Sequence, residues 1–276
     1  MTTLRAMAAS FPAAAWAVPN STTSAGRYLL RFARTEEDLD RILRLRYEVF
    51  NLELKEGLDT AHADQRDEDD FDRRFHHLLI EERESRAIVG TYRMQTGEMA
   101  AEGGYYSAGL FELDGLPEAV RNQAIEIGRA CVARPHRNGR VLNLLWRGLA
   151  SYLTWNHKSV LFGCCSLTSQ DQAFGMRVHR HLDQLGAEHP VLRVQPRPDT
   201  RCESDDQAPP GSYPTPKIPA LFQAYLTLGA RTLGPPAIDR EFKTIDWLVL
   251  LDVAELPGIT YRAFFRHSEG EGERDG

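Results

Sequence analysis

Apolar and polar positions alternate in short runs near the start of the chain and lengthen into helical stripes further on. "RYLLRFA" (27–33) reads as a first strand. In "TEEDLDRILRLRYEVFNLEL" (35–54), Thr35 with Asp38 three residues later forms a capping-box start. Leu39, Ile42, Leu43, Val49 and Phe50 then recur at helical spacing. The next stretch (55–75) is polar and acidic, and reads as a loop. "HHLLIEERESRAIVGTYRMQT" (76–96) reads as a hairpin around a charged turn. "AIEIGRACV" (124–132) is a strand, "VLNLLWRGLASYLTWN" (141–156) an amphipathic helix and "SVLFGCCS" (159–166) an apolar strand. A helix at 170–186, a short strand "VLRV" (191–194) and a helix at 218–234 follow, and "DWLVLLDV" and "TYRAFF" are expected as closing strands.

Strands in a meander followed by helix–strand alternation predict an α/β (α+β) class, with a mixed, mostly antiparallel central sheet flanked by helices. A single domain is expected over 27–266. The Pro-rich segment near 195–218 is expected as an irregular excursion. The opening 1–26 is interrupted too often for a secretory signal, and with 267–276 is expected as disordered tail.

Charge placement sharpens the picture. Arg46 falls inside the apolar stripe, four residues after Ile42 and four before Phe50, so it requires a buried anion. The acidic set Asp67, Asp69, Asp70 and Asp72 stands just downstream. Glu126 and Arg129 sit inside an apolar strand. Strict alternation places them on opposite faces, with Gly128 between them as the expected place for a bulge. They read either as a structural pair or as a base and an anchor at the floor of a cleft. After that strand, "RPHRNGR" gathers Arg134, Arg137 and Arg140 around Asn138-Gly139 where a helix begins, which suits an anion at a helix N-terminus. Neither G-x-x-x-x-G-K-[ST] nor G-x-G-x-x-G is present.

Composition narrows the classes. The 276-residue chain is 42% hydrophobic with a net charge of −6, so nothing drives it generally toward nucleic acid. No apolar run is long enough to span a bilayer. The four cysteines, Cys131, Cys164, Cys165 and Cys202, form no C-x-x-C pair, and three lie in apolar runs, as buried thiols of a cytoplasmic protein do. His76, His77, His179 and His181 lack partner ligands at useful spacing, so no metal is expected. Trp146, Tyr152 and Trp155 read as packing residues.

The strand, basic turn and helix resemble the acyl-donor motif of the GNAT superfamily. "LRYEVFNLEL", "DEDDFD", "IVGTYRM", "IEIGRACVARPHRNGRVLNLLW", "LFGCCSL", "PALFQAYLTLGA" and "PPAIDREFKTIDWLVLLD", in that order, resemble the bacterial ornithine-lipid N-acyltransferases, with N-acyl amino acid synthases and acyl-homoserine-lactone synthases as related branches. The resemblance implies a cytoplasmic enzyme in peripheral contact with the inner membrane. Its activity would be transfer of a 3-hydroxy fatty acyl group from the phosphopantetheine of acyl carrier protein to the α-amine of ornithine, with a separate O-acyltransferase completing the lipid. It implies Glu126 as the base and Arg46, Phe50, Asp69 and Asp72 as substrate-binding residues; Arg93 and Arg129 either bind the substrate carboxylate or pair with these acids. Val132 or Ala133 would supply an oxyanion N–H, and Arg137, Asn138, Gly139 and Arg140 would hold the donor. The turn reads Arg-Asn-Gly-Arg-Val, poorer in glycine than the usual GNAT turn, which leaves less room for a pyrophosphate. A synthase for another amino acid and a non-catalytic binding module are the alternatives.

Overall fold

The computed structural model describes residues 11–204 and 214–265. After a 3-10 turn at Ala15–Ala17, the chain enters β1 (Thr23–Ala25) and β2 (Tyr28–Phe32). It continues through α1 (Glu36–Arg46), β3 (His76–Glu82), β4 (Ile88–Thr96), α2 (Gly97–Gly103), α3 (Glu118–Gln123) and β5 (Ala124–Val132). Then come α4 (Gly139–Trp155), β6 (Val160–Leu167), α5 (Gln172–Gln184), α6 (Ala220–Thr227), β7 (Arg231–Thr232), β8 (Ala237–Asp239), β9 (Thr244–Asp252) and α7 (Gly258–Phe265).

The strands form one sheet in the order β1-β2-β3-β4-β5-β6-β9-β7, with β8 also on β9. Every pairing is antiparallel except β5 with β6. That pair needs a crossover, which α4 supplies. The expected mixed, mostly antiparallel sheet is therefore present. Helix α4 packs on the sheet through Val141, Leu144, Leu145 and Leu149, in one core with α5, α6 and α7. Gly148 allows the closest approach, since a Cβ there would stand 2.8 Å from a Leu30 methyl. Helix α1 covers the other face through Ile42 and Leu45.

Helix α1 starts as its sequence implies, because Thr35 Oγ1 accepts the Asp38 N–H at 3.1 Å. It runs on in wider π-helical turns over Tyr47–Leu54 and ends where Lys55 turns left-handed. Three expectations change. "TYRAFF" belongs to helix α7, not to a strand. "VLRV" is no strand: Val194 N–H donates to Leu233 O at 2.6 Å, and the isolated bridge Phe111–Pro196 follows the segment. Part of the supposed tail packs on the domain, with Val18 in the main core and Arg34 donating to the carbonyls of Val18 and Pro19. Residues 1–10, 205–213 and 266–276 lie outside the described residues; all but Arg266, the last residue of the expected domain, fall within the expected tails or the excursion.

Candidate active site

Strand β5 pairs with β6 only from Ala124↔Val160 to Glu126↔Phe162. A Cβ on Gly163 would lie 2.1 Å from the Ile127 carbonyl oxygen, so only glycine fits where the two strands last touch. Beyond that point they part, and a cavity of about 590 Å³ opens between them.

The bulge in β5 does not sit at Gly128. Register jumps from Arg93↔Gly128 to Thr91↔Cys131, leaving Arg129 and Ala130 opposite a single residue. Arg129 takes the left-handed backbone, φ +46°. Such a conformation costs on the order of 1–3 kcal/mol for a non-glycine residue and persists where the surroundings fix it. One extra residue inverts the alternation, so Glu126 and Arg129 do not take opposite faces. Both meet Tyr106: its backbone N–H donates to Glu126 and its ring lies 4.8 Å from the Arg129 guanidinium.

Glu126 is 2% exposed and lines the cavity. Its Oε2 accepts Gln95 Nε2 at 2.8 Å and Tyr106 N at 3.0 Å. Its Oε1 accepts Ser107 N at 2.8 Å and Ser107 Oγ at 2.6 Å. A carboxylate offers about four lone-pair sites, so all are occupied. Gln95 stands directly opposite on β4.

Arg46 finds the predicted anions. Its guanidinium binds Asp67 at 2.5 Å and Asp72 at 2.5 Å, with all three side chains fully buried. Arg93 bridges Asp69 at 2.6 Å and Asp72 at 2.9 Å, and Arg129 reaches Asp69 at 3.1 Å. Burial alone would raise the Asp72 carboxyl, but Arg46 and Arg93 hold it well below its ordinary range. Burial alone would lower Arg46, and Asp72 and Asp67 hold it above its ordinary value. The same opposition sets Arg129, where Tyr106, Asp67 and Asp69 outweigh burial. Arg93, Arg129 and Phe50 line the cavity, whereas Arg46, Asp69 and Asp72 stand behind its wall. For those three the expected substrate contact gives way to a supporting position, because their charges are spent on one another.

On the donor side, Asn138 caps α4 through Oδ1, accepting the N–H groups of Arg140 and Val141 at 3.1 Å each. Val132, Arg137, Asn138 and Gly139 line the cavity. Arg137 is held by Glu53 in a bidentate pair, Nη1 at 2.5 Å and Nη2 at 2.8 Å. Two expected donor residues are displaced. Arg140 points to the β1–β2 turn, where a Cβ on Gly26 would lie 2.9 Å from its Nη1. Ala133 N–H is used by Val89 O at 2.9 Å, so it cannot face a ligand. Consecutive N–H groups alternate sides in an antiparallel ladder, so that of Val132 points away from β4, into the gap left by β6.

Pattern reasoning missed several lining residues. Leu142, Leu145, Phe222, Tyr225, Val249 and Leu251 form an apolar limb beneath α6. Tyr106, Glu56 and Asp246 line the cavity as well. Asp246 carried a readable signal, a charge inside the apolar run "TIDWLVLLD".

A family model described as an acetyltransferase (GNAT) domain matches residues 45–147. The chain is 30% identical over 259 residues to the L-ornithine N(alpha)-acyltransferase of Agrobacterium fabrum (strain C58 / ATCC 33970), covering 88% of this chain and 86% of the relative. It is 30% identical over 242 residues to that of Rhizobium meliloti (strain 1021), covering 83% and 81%. The chain belongs to the L-ornithine N(alpha)-acyltransferase family. It is an acyltransferase with a GNAT-like fold. Among solved structures, a CoA-dependent acyl-homoserine lactone synthase with SAM and isopentyl-CoA aligns at TM-score 0.47 and 16% identity, over 85% of this chain and 83% of that one. Within this acyltransferase, no described helix is long and apolar enough to cross a membrane, and no described cluster of histidine, cysteine or acidic residues could hold a metal ion.

Proposed function

We propose that the chain moves a 3-hydroxy fatty acyl group from the phosphopantetheine thioester of acyl carrier protein to the α-amine of L-ornithine, giving lyso-ornithine lipid. One observation carries the reading: Glu126, the N-terminus of α4 and a long apolar limb open into the same cavity. The relatives are named for acylating the α-nitrogen of L-ornithine, and such a transfer needs those three parts together.

The amine must lose a proton before it attacks the thioester carbon. Glu126 takes that proton, directly or through a water. Of its four donors, the Ser107 hydroxyl is the one free to rotate away and release a lone pair. As the C–N bond forms, the carbonyl becomes an oxyanion, which the outward Val132 N–H stabilises. Collapse breaks the C–S bond and expels the phosphopantetheine thiolate, which takes up a proton. No covalent acyl-enzyme forms.

The donor's phosphate rests at the start of α4. Asn138 already consumes two of the helix's first N–H groups, which leaves room for the single phosphate of a carrier-bound arm more readily than for a pyrophosphate. The acyl chain enters the apolar limb under α6, and the Arg129 guanidinium faces the acceptor's carboxylate. The product is amphiphilic, so we place the enzyme in the cytoplasm, touching the inner membrane surface, with a separate O-acyltransferase acting next.

The test is purified protein with 3-hydroxyacyl carrier protein or acyl-CoA and a panel of amino acids, read by mass spectrometry. An N-acyl-ornithine formed from the carrier donor is expected. A different acyl-amino acid, or preference for acyl-CoA, overturns the acceptor or the donor respectively. In the same assay Glu126→Gln lowers kcat by roughly 10²–10⁴-fold, the usual share of a general base. Full turnover by that variant removes Glu126 from the chemistry.

A further inference from the structure

Asp246 stands on β9 opposite Ser166 of β6, on the sheet face that carries Glu126. It is 2% exposed and lines the cavity. Thr244 Oγ1 donates to its Oδ2 at 3.3 Å. Ser166 is close enough to ease its ionisation slightly, yet its Oδ1 has no hydrogen bond of normal geometry among the described residues. Glu56 enters the same cavity from the turn that ends the first helix and accepts Thr168 Oγ1 at 2.5 Å. Asp239, on the adjacent β8, accepts Tyr106 Oη at 3.0 Å.

Among the described residues, these carboxyls have no ion-pair partner of their own. The cation that Glu56 senses is Arg129, whose charge is already shared with Asp67 and Asp69. Burial first, then Asp239 and Glu56, pushes the Asp246 carboxyl up to about 7. Burial likewise raises Glu56, against Thr168 and Arg129. A buried carboxylate without a counter-charge costs free energy, and a cationic ligand relieves that cost.

We propose that Asp246 and Glu56 form a cation subsite that holds the distal ammonium of the acceptor and so selects a diamino acid over amino acids with neutral side chains. The inference rests on the acyltransfer reading above and adds the residues that choose the acceptor. The acceptor's two nitrogens then have distinct fates: one meets the Asp246 and Glu56 carboxylates and stays charged, and the other meets Glu126 and reacts.

The experiment compares L-ornithine with norvaline, which has the same carbon chain and no distal nitrogen. Both are assayed with wild type, Asp246→Asn and Glu56→Gln. Asp246→Asn is expected to lower kcat/KM for ornithine by roughly 30-fold or more, mainly through KM, as loss of one partner of a buried charge pair does. Norvaline turnover should change little. Glu56→Gln is expected to act in the same direction and less strongly, and it also carries the test if Asp246→Asn fails to fold. A parallel loss with both acceptors, or an unchanged ornithine KM, overturns the subsite. If wild type acylates no amino acid, the acyltransfer reading fails. If wild type uses ornithine but the ornithine-to-norvaline ratio does not move in the variants, only the subsite fails.

Discussion

Two groups of buried charge lie in this molecule, and they are built on opposite plans. Behind the cavity wall, Arg46, Arg93 and Arg129 face Asp67, Asp69 and Asp72, three positive against three negative. The rings of Phe75, Tyr106 and Phe242 cover two of the guanidiniums. In the cavity, Glu56 and Asp246, with Asp239 beside them, gather negative charge, and the nearby cation is already shared. A balanced set can act as scaffold: it holds Arg129, in its strained backbone, in the cavity wall that Glu126 also lines. An unbalanced set is stable only when its carboxyls are neutral or a cation arrives. Charge balance, more than burial, separates the framework from the proposed cation subsite.

The strongest way to break that comparison is to unbalance the closed set. Arg46→Met leaves Asp67 and Asp72 buried with less compensation, which costs about 3–5 kcal/mol. For a chain of this size that corresponds to a fall in Tm on the order of 10 °C, read by calorimetry or urea titration. A variant as stable as wild type would mean that the network is not framework and that Arg46 serves a ligand instead.

Arg46 and Glu126 were legible from the sequence for one reason: a charge inside an apolar period must be compensated. The downstream aspartates followed from the same argument, although Asp67 proved as central as Asp69 and Asp72. Asp246 bore the identical signal, within an apolar strand close to the end of the chain. The bulge was not legible in place, because alternation carries no mark of where one residue is added, and an arginine took the backbone that glycine favours. The misassignment of α7 has a similar origin, since a short aromatic run fits either period. Tyr106 and Ser107 could not be found by pattern at all. They sit in a short 3-10 turn, Tyr106–Gly109, and their main contribution to Glu126 is two backbone N–H groups, which every residue except proline offers.

The open set predicts a pH effect of the opposite sign to the usual carboxylate. Asp246 has a folded pKa of about 7, above its ordinary 3.8, so folding favours its protonated form. Its stabilising contribution is complete below the ordinary value and is lost as pH rises through about 7. Asn at this position carries no charge at any pH. Relative to wild type, Asp246→Asn should therefore gain stability as pH rises from about 4 to about 7, by up to a few kcal/mol, and keep that gain at higher pH. Thermal melts of both proteins across that range check it, without acceptor present. A Tm difference that stays flat would mean that Asp246 is compensated and that the two charge groups do not differ as described. The same substitution is expected to weaken use of ornithine, so stability and acceptor choice should move in opposite directions, as they do where a site stores strain for its ligand.

The smallest effect is expected where the two groups meet. Cys131 follows the bulge, packs with Ile42, Leu45 and Phe50 on the Arg46 side, and also lines the cavity. Under the proposed mechanism it would stand beside the thioester, which makes it the natural suspect for a covalent intermediate. The electrostatics argue otherwise. Burial, with Arg46 and Asp67 opposing one another, pushes its thiol up to about 12. A balanced neighbour set cannot supply the net positive field that generates a thiolate, and the thiolate is the nucleophile. Cys131→Ala should therefore keep kcat within about threefold of wild type, a difference below 1 kcal/mol, and lose on the order of 1 kcal/mol of stability from the small void. Single-turnover mass spectrometry should find no acyl group on the wild-type chain. An adduct at Cys131, with activity abolished in the alanine variant, would show that the closed set takes part in the chemistry.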